Sequence, residues 1–280
     1  MVAMENSAEQ LRDIAVDIAR GAAQKIRTRR DELGDIHQHS ETKSSLVDPV
    51  TVVDTLAEEY ICGELEKLRP HDGIIGEEGT ERPSRSGISW IIDPIDGTVN
   101  FLYGIPHYAV SIAAACDGEV IAGVVVDVTS DAVYHAIEQG GAYKTTPTTT
   151  VRLRCHEPAD LARSLVATGF GYTATRRAEQ VKILVQLLPE IRDIRREGSA
   201  ALDFCSLAEG RVDAYYEHGI NCWDYAAGSL IAAEAGAVVT TPPLSVSGRE
   251  GNVVWAASPV IAQAFSERLE AIGAMTPMRP

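Results

Sequence analysis

Apolar residues return at spacings of three and four through the first part of the chain. Leu11, Ile14, Ile18, Ala22 and Ile26 fall on one face, which predicts an amphipathic helix over 8–33. Arg27, Arg29 and Arg30 sit near its C-terminal end, where the helix dipole favours positive charge. Gly34 to Asp48 is polar and reads as a loop. A short extended piece, Asp48 to Asp54, leads into a second helix over 55–68, with Leu56, Tyr60, Ile61, Leu65 and Leu68 as its inward face. Ile74-Ile75 is a short strand that ends in Gly76-Glu77-Glu78-Gly79. Ile88, Trp90, Ile91 and Ile92 form a buried strand that ends in Asp93-Pro94-Ile95-Asp96-Gly97-Thr98.

Beyond Phe101 the pattern becomes a meander. Tyr108–Ala115 and Val120–Val128 are β-prone runs joined by Asp117-Gly118, a strong hairpin signal. Ala132–Ile137 and Ala142–Lys144 continue it across Gly140-Gly141. The polar tract Thr145–Thr150, with Pro147 inside it, is read as a lobe boundary. Strands then alternate with helices: strands at Leu165–Thr168, Ile191–Arg195, Val212–Tyr216, Ala237–Thr240 and Val253–Ala256, helices at 174–190, 199–209, 223–235 and 259–272. The expectation is an N-terminal α+β lobe over 1–150 and a C-terminal α/β lobe over 151–280.

Composition narrows the function classes. Forty acidic residues against 25 basic ones give a net charge of −15, which argues against binding a nucleic-acid backbone. The five cysteines are scattered and never in CxxC spacing, so they read as reduced thiols of a cytoplasmic protein, not as a zinc site. Neither a leader peptide nor a run long enough to span a membrane is visible.

The chemistry gathers where strands end. Asp93 and Asp96 are separated by Pro94, which cannot donate to a β ladder and so breaks the strand open. Asp96-Gly97 is turn chemistry, and Thr98 can cap the next element. Carboxylates that converge repel each other unless a cation lies between them, and all-oxygen ligands suit Mg²⁺, with Mn²⁺ as an alternative. Such ions would also reverse the local sign for an anionic substrate. Free N–H groups at a helix start suit phosphate. The plainer alternative is a strand end closed by an Asx-turn. Asp224 begins an alanine-rich helix after Tyr215-Tyr216-Glu217-His218-Gly219-Ile220-Asn221-Cys222-Trp223, as a first-turn acid or as a further ligand. Asp54 is either the N-cap of the second helix or a metal- or water-holding group.

Taken together, Trp90–Phe101, Trp223–Gly228, Gly76–Gly79 and Asp48–Asp54 resemble the inositol monophosphatase family of Mg²⁺-dependent, Li⁺-sensitive phosphatases, across nearly the whole chain. The resemblance implies a five-layered αβαβα sandwich of the sugar phosphatase type, and a homodimer. It implies that Glu77, Asp93 and the Ile95 carbonyl hold one Mg²⁺, that Asp93, Asp96 and Asp224 hold a second, and that Glu77 and Asp96 touch a third. Gly97 and Thr98 would present N–H groups to the phosphate. Glu217 would accept hydrogen bonds from substrate hydroxyls beside the Gly198-Ser199-Ala200 backbone. Lys43 would be the lysine of a mobile loop. Asn221 departs from animal relatives, which often carry histidine there.

The implied reaction is hydrolysis of myo-inositol 1-phosphate or a similar polyol phosphate. The ions would activate water and stabilise the departing alkoxide, with Glu77, Thr98 and Asp54 as catalytic residues. Fructose 1,6-bisphosphate, histidinol phosphate or an adenosine bisphosphate would use the same chemistry, but a bisphosphate wants a basic pocket that is not visible in the sequence. A reading of another class is a regulatory partner of the transcription machinery.

Overall fold

The computed structural model describes residues 7–33, 40–42 and 49–279. Among them α1 (Ala8–Leu33) leads to β1 (Ser40–Thr42), β2 (Pro49–Thr51) and α2 (Val52–Leu68). Then come β3 (Gly73–Gly76), β4 (Glu81–Arg82), β5 (Ile88–Asp96), α3 (Thr98–Tyr103), β6 (Ala109–Cys116), β7 (Glu119–Asp127), β8 (Val133–Ile137), β9 (Gly141–Thr145) and β10 (Thr150–Arg152). The chain continues with β11 (Leu165–Thr168), α4 (Ala174–Leu187), β12 (Asp193–Arg195), α5 (Ala200–Ala208), β13 (Ala214–His218), α6 (Cys222–Glu234), β14 (Val238–Thr240), β15 (Val253–Ala257) and α7 (Ala262–Ala271).

Eight strands form one sheet in the order β10-β9-β8-β7-β6-β5-β3-β4, and five form another in the order β12-β11-β13-β15-β14. Side-chain alternation separates the layers. On the first sheet Trp90, Ile92, Val124 and Val126 pack with Leu11, Ile18, Ile26, Ile61 and Leu65 of α1 and α2. Their neighbours Ile91 and Val125 point the other way, against Phe204, Ala226 and Ala227 of α5 and α6, which also meet Tyr215 and Val254 of the second sheet. Ala214, Tyr216 and Trp255 on that sheet's far face pack against Ile183 and Leu187 of α4 and Phe265 and Leu269 of α7. The result is five layers, αβαβα.

The middle helices approach closely because small residues meet there. A Cβ on Gly123 of β7 would lie 2.8 Å from the Ala227 carbonyl oxygen, and one on Gly228 would lie 2.8 Å from Phe204 Cβ. At the β6–β7 turn Asp117 and Gly118 both take positive φ, 51° and 89°, as a two-residue hairpin loop of this twist requires.

Several sequence expectations are corrected. Strand β5 is not broken open at Pro94 but runs through both carboxylates to Asp96. Between the pairs Asp93↔Ser111 and Asp96↔Ala109 it carries one residue more than β6, so Pro94 sits in a bulge where no ladder N–H is needed. Helix α2 starts at Val52, which puts Asp54 in its first turn, not at its N-cap. Its inward face is Val53, Ala57, Ile61 and Leu65, while Leu56 and Leu68 are exposed. The stretch Thr145–Thr150 is a hairpin turn, with Thr145 paired to Thr150, and the first sheet continues to Arg152. The 174–190 helix ends at Leu187 in a 3₁₀ turn with Pro189, and β12 shortens to Asp193–Arg195. Residue 43, and with it the expected loop lysine Lys43, lies outside the described residues.

Candidate active site

The bulge that ends β5 turns Asp93 and Asp96 into one cavity. Glu77 follows β3, which runs parallel to β5, and its backbone N–H donates to Ile92 O at 3.2 Å. Asp224, in the first turn of α6, arrives from the second sheet's side. Three elements distant in sequence therefore aim carboxyls at one point. Oxygens of Asp93, Asp96 and Asp224 all lie within 4.8 Å of one another. Glu77 is close enough to hydrogen-bond Asp93.

Two of the carboxyls are held from behind. Asp96 Oδ2 accepts from Ser199 Oγ at 2.6 Å and from the Ala201 N–H at 2.7 Å, so the start of α5 is fastened to the end of β5. Asp224 Oδ2 accepts from the Asn221 N–H at 2.5 Å, and Asn221 Oδ1 accepts from the Gly248 N–H at 2.9 Å. Asp93 is 1% exposed, and its Oδ1 has no hydrogen-bond partner among the described residues.

Burial dominates the electrostatics. It lifts Asp93 and Asp224 well above the ordinary carboxylate range, and repulsion from Glu77 and Asp96 adds to the effect. Burial raises Asp96 to about 6, against the opposing hydrogen bonds from Ser199, Ala201 and Ala200. A buried, crowded set of oxygens with one orphaned acceptor fits divalent, hard metal ions. Such ions would take the place of the protons these groups otherwise retain.

Gly97 and Thr98 open α3 at the cavity edge. Gly97 has φ 97°, and a Cβ there would lie 3.0 Å from His107 O, so this position requires glycine on two counts. Thr98 is the first residue of the helix and not its cap, and its hydroxyl donates to Ile95 O at 3.1 Å. Ile95, Gly198 and Ala200 also line the cavity. Glu217 faces in from the end of β13. Its Oε2 accepts from Tyr215 Oη at 2.9 Å, and burial raises the carboxyl to about 7. Asp54 is buried in α2 and is not among the residues that line the cavity.

Sequence reasoning missed several residues. Glu58 on α2 is 2% exposed and accepts from the N–H groups of Glu78 (2.9 Å) and Thr80 (3.1 Å), which fixes the turn carrying Glu77. A Cβ on Gly169 would lie 2.0 Å from Glu217 Oε2, so its lack of a side chain admits that carboxyl. Two guanidinium groups also line the cavity, where no basic pocket was expected. Arg176 spends its donors on the carbonyls of Met278, Gly219, Gly248 and Arg249. Arg196 is exposed at the cavity and lowers the proton affinity of Asp96 and Glu217. All these contacts span ten or more residues, beyond the reach of local patterns.

Known proteins resemble this chain over nearly its whole length. The family model described as Inositol monophosphatase family matches residues 7–274. An inositol-1-monophosphatase of Mycobacterium leprae is 44% identical over 99% of both chains. A Nus factor SuhB of Pasteurella multocida is 40% identical over 81% of this chain and 83% of its own. The solved structure of Mycobacterium tuberculosis SuhB superposes with a TM-score of 0.84 at 44% identity, covering 96% of this chain and 99% of that one.

Proposed function

The chain belongs to the inositol monophosphatase family, a family of phosphatases, and from that premise we propose that it hydrolyses myo-inositol 1-phosphate or a similar polyol phosphate with the help of Mg²⁺. One observation carries the proposal: Asp93, Asp96 and Asp224 converge within 4.8 Å in a cavity that Glu217 also lines. Glu77, Asp93, Asp96 and Asp224, with the Ile95 carbonyl, would hold the ions. Bound there, divalent ions would supply Lewis acidity toward water and charge neutralisation for the phosphate and its leaving group.

The chain's own residues do the rest. Gly97 and Thr98 offer backbone N–H groups at the cavity edge, suited to the phosphate oxygens. Glu77 would accept a proton from the attacking water, and the Thr98 hydroxyl would help to orient that water. Glu217, fixed by Tyr215 and uncovered by Gly169, is placed to accept from substrate hydroxyls. Asp54 would act from behind this layer. Family kinship also supports a homodimer working in the cytoplasm, which sedimentation velocity and cell fractionation would test.

Arg196 at the cavity favours a second reading, in which a bisphosphate places its other phosphate against the guanidinium. Phosphate release from a panel of inositol 1-phosphate, fructose 1,6-bisphosphate, histidinol phosphate and an adenosine bisphosphate separates the two. Preference for inositol 1-phosphate supports the first reading, and no release from any ester would refute both. Relatives named Nus factor SuhB favour an additional role as a partner of the transcription machinery. A pull-down of that machinery that survives Asp96→Asn would support it, and the absence of any pull-down would refute it.

A further inference from the structure

Outside the lining of the cavity lies a second group of potential ligands that the reaction does not use. His107 follows α3, Glu197 precedes α5, and Asp203 lies within α5. One ligand atom from each lies within 4.8 Å of the others. His107 Nε2 and Glu197 Oε2 are 3.5 Å apart. The backbone is already fastened for this arrangement, because the Asn100 side-chain amide donates to His107 O and to Glu197 O, each at 2.7 Å. Asn100 itself is 4% exposed, so the clamp is shielded from water.

A histidine–glutamate pair alone does not explain Asp203. That carboxyl is 1% exposed, and its Oδ1 has no hydrogen-bond partner among the described residues. His107 Nε2 is likewise buried without a hydrogen bond among them. An unmet buried acceptor is costly, so something normally answers it. Burial, reinforced by Glu217, Glu197 and Asp96 and only partly offset by Arg196, favours the protonated acid at Asp203.

We propose that His107, Glu197 and Asp203 form a second cation site, separate from the catalytic carboxylates, that takes a borderline transition-metal ion such as Zn²⁺ or Co²⁺. One imidazole nitrogen with two carboxylate oxygens suits those ions, whereas Mg²⁺ prefers oxygen alone. Three protein ligands leave one tetrahedral position for water. The His107–Glu197 pair, at 3.5 Å, already has about the 3.4 Å spacing that bonds of about 2.1 Å produce around a tetrahedral ion.

An ion there would tie the segment before β6 to the start of α5. Both segments border the catalytic cavity: a Cβ on Gly97 would lie 3.0 Å from His107 O and 3.3 Å from Gly198 O. The ion would thus brace the Gly97–Thr98 edge against Gly198 without touching substrate. This site does not depend on which ester the enzyme hydrolyses.

The test is titration of the full-length protein with Co²⁺ in a large excess of Mg²⁺, followed by visible absorption and by equilibrium dialysis. The expected result is one bound Co²⁺ whose spectrum persists in Asp93→Asn/Asp224→Asn. His107→Gln, Glu197→Gln and Asp203→Asn should each weaken it at least tenfold, since losing even a partner behind a ligand commonly costs ten- to hundredfold. Glu197 is exposed, so Glu197→Gln reads the site without threatening the fold. Unchanged Co²⁺ affinity in Glu197→Gln and His107→Gln, or disappearance of the signal in Asp93→Asn/Asp224→Asn alone, would overturn the proposal.

Discussion

Raising the pH on the metal-free protein should destabilise it, and Asp96 gives the size of the effect. Its carboxyl is 7% exposed and sits at about 6 instead of 3.8 because burial penalises the charge. Between those two values the folded protein binds more protons than the unfolded chain, so stability falls as pH rises. At about 1.4 kcal/mol per pH unit, the full loss is about 3 kcal/mol. About half of it, roughly 1.5 kcal/mol, falls between about pH 5 and pH 7.5. For a chain of this size that lowers Tm by roughly 3–5 °C. Glu217, raised to about 7, adds a loss of the same sign at somewhat higher pH. Mg²⁺ binds the ionised carboxylates, so the Tm gain it gives should grow over the same interval. Thermal melts of chelated wild type and Asp96→Asn, at matched pH with and without Mg²⁺, read the Asp96 contribution together with its coupling to Asp93 and Asp224. A chelated wild type with the same pH slope as Asp96→Asn would refute the reasoning.

Asp93→Asn and Asp224→Asn should each abolish turnover, while the metal-free Tm stays the same or rises because burial and neighbouring acids already disfavour a charge at either position; near-normal kcat in either would remove that residue from the ligand set. Glu217→Gln should cut kcat/KM for inositol 1-phosphate about tenfold or more, at roughly 1.5–3 kcal/mol per charge-assisted bond, and barely affect a small ester without ring hydroxyls. Equal losses on both substrates would mean that Glu217 orders the metal site. Gly97→Ala should lower kcat by displacing the α3 start, since its φ of 97° and the His107 carbonyl at 3.0 Å both exclude a Cβ; unchanged kcat would show that this edge does not need its present backbone.

Features with a local period or a local turn were legible in the sequence. Helix α1 could be read because Leu11, Ile18, Ala22 and Ile26 repeat at helical spacing, and the Asp117-Gly118 hairpin because its backbone demands those residue types. The phase of α2 was misread because Ala57, a weak hydrophobic signal, is buried, while Leu56, a strong one, is exposed. Pro94 correctly marked an irregularity but not its form, since a bulge is defined by the partner strand β6. Thr145–Thr150, read as a lobe boundary, forms the tip of the last hairpin of the first sheet, and hairpin tips and boundaries share polar, proline-bearing composition. At the site, Glu77, Asp93, Asp96, Ile95, Gly97, Thr98, Gly198, Ala200, Glu217 and Asp224 line one cavity, and their motifs could be read because they are contiguous runs. Glu58, Gly169, Arg176 and Arg196 act through contacts made only in the folded chain, and no short pattern marks them.

The most direct measurement is phosphate release from inositol 1-phosphate by protein stripped of metal and then reloaded with Mg²⁺. Convergence of Glu77, Asp93, Asp96 and Asp224 on one point predicts no turnover after exhaustive chelation, recovery on adding Mg²⁺, and inhibition by Li⁺. Full activity in the chelated protein would contradict it.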